Sequence, residues 1–330
     1  MADLVESVPN FSEGRRPAVV DHLAEAVTSV AGVHLLDRTS DPSHNRSVLT
    51  VAGPAAAVAD ALERSVEVAL AEIDMERHQG EHPRIGAVDV VPFVPLGDLG
   101  MAECVALARA FGERLARRFE LPVYLYAMAA LRPDRMKLAD VRRGQYEGLK
   151  AEIGQRGREP DFGPARMHPR GGAVAVGTRP FLIAWNINLA SDDVELAKRI
   201  ARRVRESGGG LPRLQANGFR VEEPERGHPS RAQVSMNVLD HAVTPLWKVW
   251  EVVSELAAED GVEAVESELV GLAPLAAFLA AADRAGAPPG GPVEQRLSAA
   301  AEFLRLRDFT PLQALELRLA AAEAGGGGSG

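Results

Sequence analysis

Between Met75 and Pro95 the chain reads MERHQGEHPRIGAVDVVPFVP, which gathers Arg77, His78, Glu81, His82, Arg84 and Asp89 on a stretch broken by Gly80, Pro83 and Gly86. The run that follows (Ala87, Val88, Val90, Val91, Phe93, Val94) is apolar and rich in valine, so it reads as a strand. Titratable residues therefore sit on a loop just ahead of a rigid element, the usual place for reactive groups. An imidazole with a reference pKa of about 6.5 can both take and give a proton near neutrality. His82 is the candidate general acid/base, with Arg84 beside it as an anion hook and Asp89 as a carboxylate able to orient the ring.

Two other readings compete at this point. His78, Glu81 and His82 spell H-x-x-E-H, the inverted zinc-hydrolase signature. That motif needs both histidines on one face of a helix, which Gly80 between them and Pro83 after them oppose. The blander reading makes both histidines ordinary loop residues that cap backbone groups.

A loop of this kind needs a frame, and the hydrophobic periodicity supplies one. Strands are expected near 3–9, 33–38, 46–52 and 87–94, with helices near 15–30 and 54–73, in the order β-α-β-β-α-β. The second half repeats it: strands near 181–189, 213–220, 231–239 and 262–269, helices near 192–206 and 244–259. Each half is thus a split βαβ unit, an antiparallel-rich sheet with helices on one face, and the fold class is α/β (α+β). Ser12 and Ser191, each followed by acidic residues, are the expected helix N-caps. Such matching punctuation fits a duplication and fits shared physics equally. Between the halves, from about 97 to 172, come an amphipathic helix (Ala102–Phe119), the strand PVYLY and an irregular link rich in Gly, Pro and Arg. If helices cover one face of each sheet, the economical way to bury the other faces is to set the two sheets against each other around a ligand. A linker at 286–292 leads to a helical pattern near 293–321 and a GGGGSG tail that composition makes flexible.

Composition agrees with a globular cytoplasmic enzyme: 46% hydrophobic and 25% charged residues are ordinary values. A net charge of -9 opposes non-specific binding to nucleic acid and makes any anion pocket a local exception. Neither a secretory signal nor a membrane span is expected, because the start is acidic and the longest apolar run, Leu269 to Ala282, is too short and holds a proline. The single cysteine, Cys104, rules out an internal disulfide and is expected to be a buried small hydrophobe. A homodimer is the commonest assembly for such an enzyme.

The motif GEHPRIGAVDVVPFVP resembles the central motif of the glutamate formimidoyltransferases, and further stretches match that family in the same order. They are LVESVPNFSEGR at 4–15, the segment 41–53 around His44, Asn45 and Arg46, PVYLY at 122–126, PDFGP at 160–164, FLIAWNINL at 181–189, QVSMN at 233–237 and SELVGL at 267–272. The resemblance spans about residues 3 to 282 and departs from the family pattern at Ser7, Thr178, Pro180 and Trp185. It implies transfer of a formimidoyl group between glutamate and N5 of tetrahydrofolate, the folate being co-substrate and no metal being needed. The near variant is a homologue that uses 5-formyltetrahydrofolate.

The resemblance also distributes roles. The catalytic histidine of the GEHPR motif is His82. The folate-binding stretch is Gly163-Pro164-Ala165-Arg166-Met167-His168-Pro169-Arg170-Gly171-Gly172, matched residue for residue at Gly163, Pro164, Pro169 and Gly172. The substrate carboxylates require cations, for which Arg46, Arg84 and Arg179 stand in family-like motifs. His44, Asn10, Asn45, Asn186 and Asn188 complete the candidate substrate contacts, the amides suited to the polar edge of a pterin. Residues 1–172 are the expected N-terminal subdomain with the catalytic histidine, 173–285 the C-terminal subdomain, and 286–330 a linker, helix and tail. The family packs its two sheets facing each other around a ligand tunnel. Some relatives continue into a cyclodeaminase domain, for which the residues after 285 are too few, so the form lacking it is expected.

Overall fold

The computed structural model describes residues 3–223 and 227–326; the end of the glycine-rich tail, 327–330, lies outside the described residues. Two compact units divide the chain, the first running to Arg179 and the second from Pro180 to Ala321.

The first unit contains β1 (Asp3–Ser7), β2 (Asn10–Phe11), α1 (Pro17–Thr28), β3 (His34–Asp41), β4 (Arg46–Pro54), α2 (Ala55–Glu72), β5 (Val88–Gly97), α3 (Met101–Phe119), β6 (Val123–Ala127), α4 (Leu138–Val141), α5 (Gln145–Glu152) and β7 (Val174–Thr178). The single strand expected at 3–9 is interrupted where Pro9, without an N–H, cannot donate to a ladder. Its two pieces both lie between β4 and β5, antiparallel to each. With β3 on the outer side of β4, this is the expected split βαβ unit. Two strands then extend the sheet beyond β5. Val174–Thr178 pairs parallel to β5, with Val90 opposite Ala175, and β6 pairs parallel to the far side of β7. The run 174–178 is short and uniformly apolar, without the alternation that marks a strand from sequence, and it carries the first unit past Gly172 to Arg179.

Helices α1, α2 and α3 cover one face of this sheet. Leu23, Leu62, Val66 and Phe111 from their apolar stripes pack with Leu49, Val51, Val91 and Phe93 in one core. Cys104 belongs to this core, and burial pushes its thiol up to about 11, as befits a small hydrophobe. On the opposite face of the added strands, Val141, Leu149 and Ile153 pack over Val90, Tyr124, Tyr126 and Ala175. The link read as irregular thus contains two short helices that cover the sheet.

The second unit contains β8 (Ile183–Leu189), α6 (Val194–Val204), β9 (Leu214–Glu223), β10 (His228–Val238), α7 (Leu246–Glu259), β11 (Ala264–Val270), α8 (Leu275–Arg284), α9 (Val293–Phe303) and α10 (Leu315–Gly326) as far as Ala321. Its sheet runs β11-β8-β10-β9, every neighbour antiparallel, which is the order a βαββαβ chain produces. Trp185, Ile187 and Leu189 alternate with Asn186 and Asn188, so one face of β8 enters the core and the other is polar.

Neither expected serine cap forms. The Ser12 hydroxyl donates to the Gly86 carbonyl at 2.7 Å, and the start of α1 is served by Glu13, whose carboxylate accepts from the backbone N–H groups of Arg15 and Arg16. At α6 the cap is Asp193, which accepts from Glu195 N–H, while Ser191 accepts from Asp193 N–H one step earlier. Carboxylates win because they interact with the positive helix end as well as with single N–H groups.

The continuous helix expected at 293–321 is two helices. Pro311 pushes Thr310 into extended geometry, and Arg305 and Asp308 adopt left-handed φ of 49° and 53° between them. The break has a use. Arg305 O accepts from Ser267 N–H and Arg307 N–H donates to Ser267 O, so the segment covers the open edge of β11. Leu297, Ala300, Leu304 and Ala314 are buried in the same core as Trp185. Residues 286–321 are therefore part of the second unit and contribute to its core. Leu304→Ala is expected to lower unfolding free energy by about 2–5 kcal/mol, read by urea denaturation; a change below ~0.5 kcal/mol would mark the C-terminal helices as appendages.

Candidate active site

The β3–β4 hairpin and the loop after α2 are tied into one body. Asp41 accepts from the N–H groups of Ser43 and His44 at 2.8 and 2.9 Å and pairs with His44 Nδ1 at 2.6 Å. These contacts, the His44 N–H first among them, lower its pKa. Asn45 follows with φ of 48°, a left-handed conformation that asparagine tolerates. Its side chain is buried and bonded at both ends: Oδ1 accepts from Gly14 N–H at 3.0 Å and Nδ2 donates to Gln79 O at 2.9 Å. A Cβ on Gly80 would lie 2.2 Å from His44 O, so only glycine lets the loop pass this close to the hairpin.

His78 and Arg84 are consumed by the same framework. His78 Nε2 lies 3.0 Å from Asn45 O, and Arg84 Nε donates to His78 Nδ1 at 3.2 Å. Because a guanidinium only donates, Nδ1 is the acceptor and Nε2–H the donor, which fixes one neutral tautomer. Burial, the largest cause, lowers the pKa of His78 and agrees with that state. Arg84 is buried, forks onto Glu147 at 2.6 and 3.0 Å and reaches Gln145 Oε1 at 3.1 Å. The expectation that Arg84 hooks a substrate anion is corrected: its donors are spent on the protein. The H-x-x-E-H reading fails on donor chemistry, since His78 has no ring nitrogen left for a ligand and residues 76–87 form no helix.

His82 stands apart. It lines a narrow cleft with Phe11, Ser12, His44, Asn45, Arg46, His78, Arg84 and Asp89. Its ring is half-buried and meets the His44 ring edge-on, centroids 6.3 Å apart. Burial first, then the charges of Arg46, Arg142 and His44, hold its pKa down at about 3, so at neutral pH it is an unprotonated base. Arg46 is tethered through Nε and Nη2 to Asn10 Oδ1, the Nε contact being 2.8 Å. Asn10 Nδ2 in turn donates to Val8 O. Among the described residues Arg46 makes no ion pair.

Asp89 does not orient an imidazole. Its buried carboxylate accepts from Ile85 N–H at 2.9 Å and holds Arg142 through Nε and Nη2. A buried carboxylate at the head of a strand demands a cation partner, and that cation comes from the link after α4. Arg179 hydrogen-bonds Tyr126, whose hydroxyl pKa is raised chiefly by burial. Sequence reasoning missed Arg142, Glu147 and Tyr126. Only the unpaired demand of Asp89 and Arg84 hinted at them, and a chain this rich in arginine offers no way to choose among partners.

The remaining expected residues fall elsewhere. Residues 163–172 do not line the cleft. Gly163, at φ +85°, lies against Leu121 O, while His168 and Gly172 exchange two backbone hydrogen bonds. Gly171 O accepts from Ala87 N–H and Arg170 O from Met75 N–H, which stitches this stretch to the strand leading away from His82. His168 Nδ1 accepts from Gly171 N–H at 2.8 Å, and Arg166 pairs with Glu120 on the surface. Asn186 and Asn188 belong to the second unit. Asn188 is buried, donates to Glu266 at 3.0 Å and accepts from Gln233 at 2.9 Å, whereas Asn186 is half-buried on the same face of β8.

Comparison with known proteins adds the following. Residues 4–179 match the formiminotransferase domain, N-terminal subdomain, and residues 184–285 match the formiminotransferase domain. The chain is 42% identical over 283 residues to the glutamate formimidoyltransferase of Streptococcus pyogenes serotype M1, covering 86% of this chain and 93% of that protein. With the glutamate formimidoyltransferase of Thermoplasma acidophilum it shares 44% identity over 278 residues, 84% of this chain and 90% of the relative. The formimidoyltransferase-cyclodeaminase of Rattus norvegicus is 45% identical over 288 residues, 86% of this chain but 52% of that longer protein.

The depressed pKa of His82 has a consequence for stability. The unfolded chain takes up a proton near the ordinary 6.5 that the folded ring refuses until about 3. The stability that depends on neutral His82 is therefore complete above about pH 6.5 and is lost as pH falls toward 3. Urea titrations between about pH 7 and pH 4.5 should show a steeper loss for the native protein than for His82→Gln; parallel curves would mean a solvated His82.

Proposed function

The chain belongs to the formiminotransferase family, and on that premise we infer that it moves a formimidoyl group between the amino nitrogen of glutamate and N5 of tetrahydrofolate, a step of histidine degradation that feeds one-carbon metabolism. The enzyme is a transferase acting on small molecules, with tetrahydrofolate as co-substrate. The observation that carries the residue assignment is His82: a neutral, half-buried imidazole beside Arg46, in a cleft whose other ring nitrogens and guanidinium donors are largely committed to the protein.

Glutamate arrives as an ammonium. Its nitrogen must lose a proton before its lone pair can attack the amidine carbon, and N5 of the folate must gain one as the N5–C bond breaks. His82 serves both needs, taking the proton from the ammonium and returning it to N5, so that protons balance over the transfer. A base with pKa about 3 is weak; burial is the first cause of that value and the charges of Arg46 and Arg142 add to it. Substrate carboxylates beside the ring counter the arginine charges and raise the pKa of the imidazole. The rest of the acceleration comes from holding two substrates in line.

Residues 163–172 are assigned the folate contact on the family pattern, and the first unit the acid/base centre. Of the two amides on the polar face of β8, Asn188 is committed to Glu266 and Gln233, and the half-buried Asn186 is the one suited to a pterin edge. Release of tetrahydrofolate from 5-formimidoyltetrahydrofolate, with and without glutamate, tests the reading. Glutamate-dependent turnover should fall by ~10² to 10⁴ in His82→Ala; a loss below ~10-fold would remove His82 from the proton transfers. Running 5-formyltetrahydrofolate in parallel decides the transferred group.

A further inference from the structure

Two arginines flank His82 in the same way. Arg46 is tethered by its Nε and Nη2 edge to Asn10 Oδ1, and Arg142 by its Nε and Nη2 edge to the Asp89 carboxylate. Each guanidinium is thereby held in one orientation, and the Nη1 group of each makes no hydrogen bond or ion pair among the described residues. Asp89 lines the cleft with His82 and Arg46, and Arg142, paired to Asp89 behind that lining, is near enough for its charge to act on both His82 and Arg46. The charges do not cancel. Asp89 offsets one arginine and the other is left over, with Asp41, committed to the 41–45 turn, as the further acidic influence on Arg46. One additional anion completes the set. Burial and the neighbouring Arg142 both disfavour the charge on Arg46, a cost that a bound carboxylate would offset.

We infer that Arg46 and Arg142 together bind the α-carboxylate of the amino-acid substrate, and that Arg142 is a specificity-determining residue of this site. The inference rests on the formimidoyl-transfer reading. Its chemical reason is proximity: the α-carboxylate sits on the carbon that bears the reacting nitrogen, so a cation pair beside the proton-transferring ring meets that carboxylate first. The side-chain carboxylate, three carbons away, falls to other groups. Arg84, the more obvious arginine by its place in the motif, is spent on Glu147 and His78.

Two fragments of glutamate separate the carboxylates. 2-Aminobutanoate keeps the α-carboxylate and lacks the side-chain one; 4-aminobutanoate keeps the side-chain carboxylate and an amine and lacks the other. Each is measured as a competitive inhibitor of glutamate-dependent turnover. Arg142→Gln is expected to weaken 2-aminobutanoate by about 10-fold or more while leaving 4-aminobutanoate within about 2-fold. Arg142→Lys, which keeps the charge opposite Asp89 but not the planar fork, is expected to recover part of the loss. Equal weakening of both fragments in the glutamine and lysine variants would overturn the assignment and leave Arg142 a structural partner of Asp89. Weakening confined to 4-aminobutanoate would overturn it in favour of the side-chain carboxylate. Absence of glutamate-dependent turnover in the unmodified protein is a different result, and it would remove the functional reading itself.

Discussion

A loop without helix or ladder hydrogen bonds holds one shape only if its backbone groups are satisfied in some other way, and here that duty falls on Asn45. Its amide binds Gly14 on one side and Gln79 on the other, while its carbonyl faces His78. Three stretches of chain far apart in sequence are thus joined at a residue in left-handed conformation. Without that tie the histidine loop would be an ordinary mobile connection. With it, the loop that carries His82 is bonded to the β3–β4 hairpin and to the segment before α1.

The second constraint is charge balance in a half-buried cleft. Arg84 is matched by Glu147 and Arg142 by Asp89, each pair drawing a partner from the link between the split βαβ unit and β7. Isolated buried charges are costly, so such pairs come matched or not at all. Arg46 is the exception: it has the Asn10 amide oxygen and no carboxylate in contact. A cation left over beside a neutral imidazole is poised for an anionic ligand, and the same charge adds to burial in disfavouring protonation of the ring. Positioning and acid/base state are therefore one electrostatic arrangement.

The link after β5 does more than connect. It supplies α4 and α5, which cover the sheet face carrying Tyr124 and Tyr126, and from the same short segment it sends Gln145 and Glu147 to Arg84 and Arg142 to Asp89, two residues that line the cleft. The stretch 163–172 then returns the chain to residues 85–87, just ahead of β5, and leads into β7. Sheet extension and completion of the site are consequences of one passage of chain.

What the sequence by itself determined was local. Nine strands and the helices of the two split βαβ units lay close to their expected places because alternation and the 3.6-residue period are written into consecutive residues such as Trp185 to Leu189 or Val58 to Val66. His82 was legible for a similar reason, since the motif around it is contiguous. What only the tertiary structure decided was pairing. That Arg84 is consumed and Arg46 is not, that Asp89 takes Arg142 instead of an imidazole, that Val174–Thr178 is a strand at all, and that Leu304 belongs to a core with Trp185 are facts about residues brought together from far along the chain. Periodicity carries no information about such partners. In a chain with 37 basic residues every carboxylate has many candidate cations, and burial and geometry alone select among them.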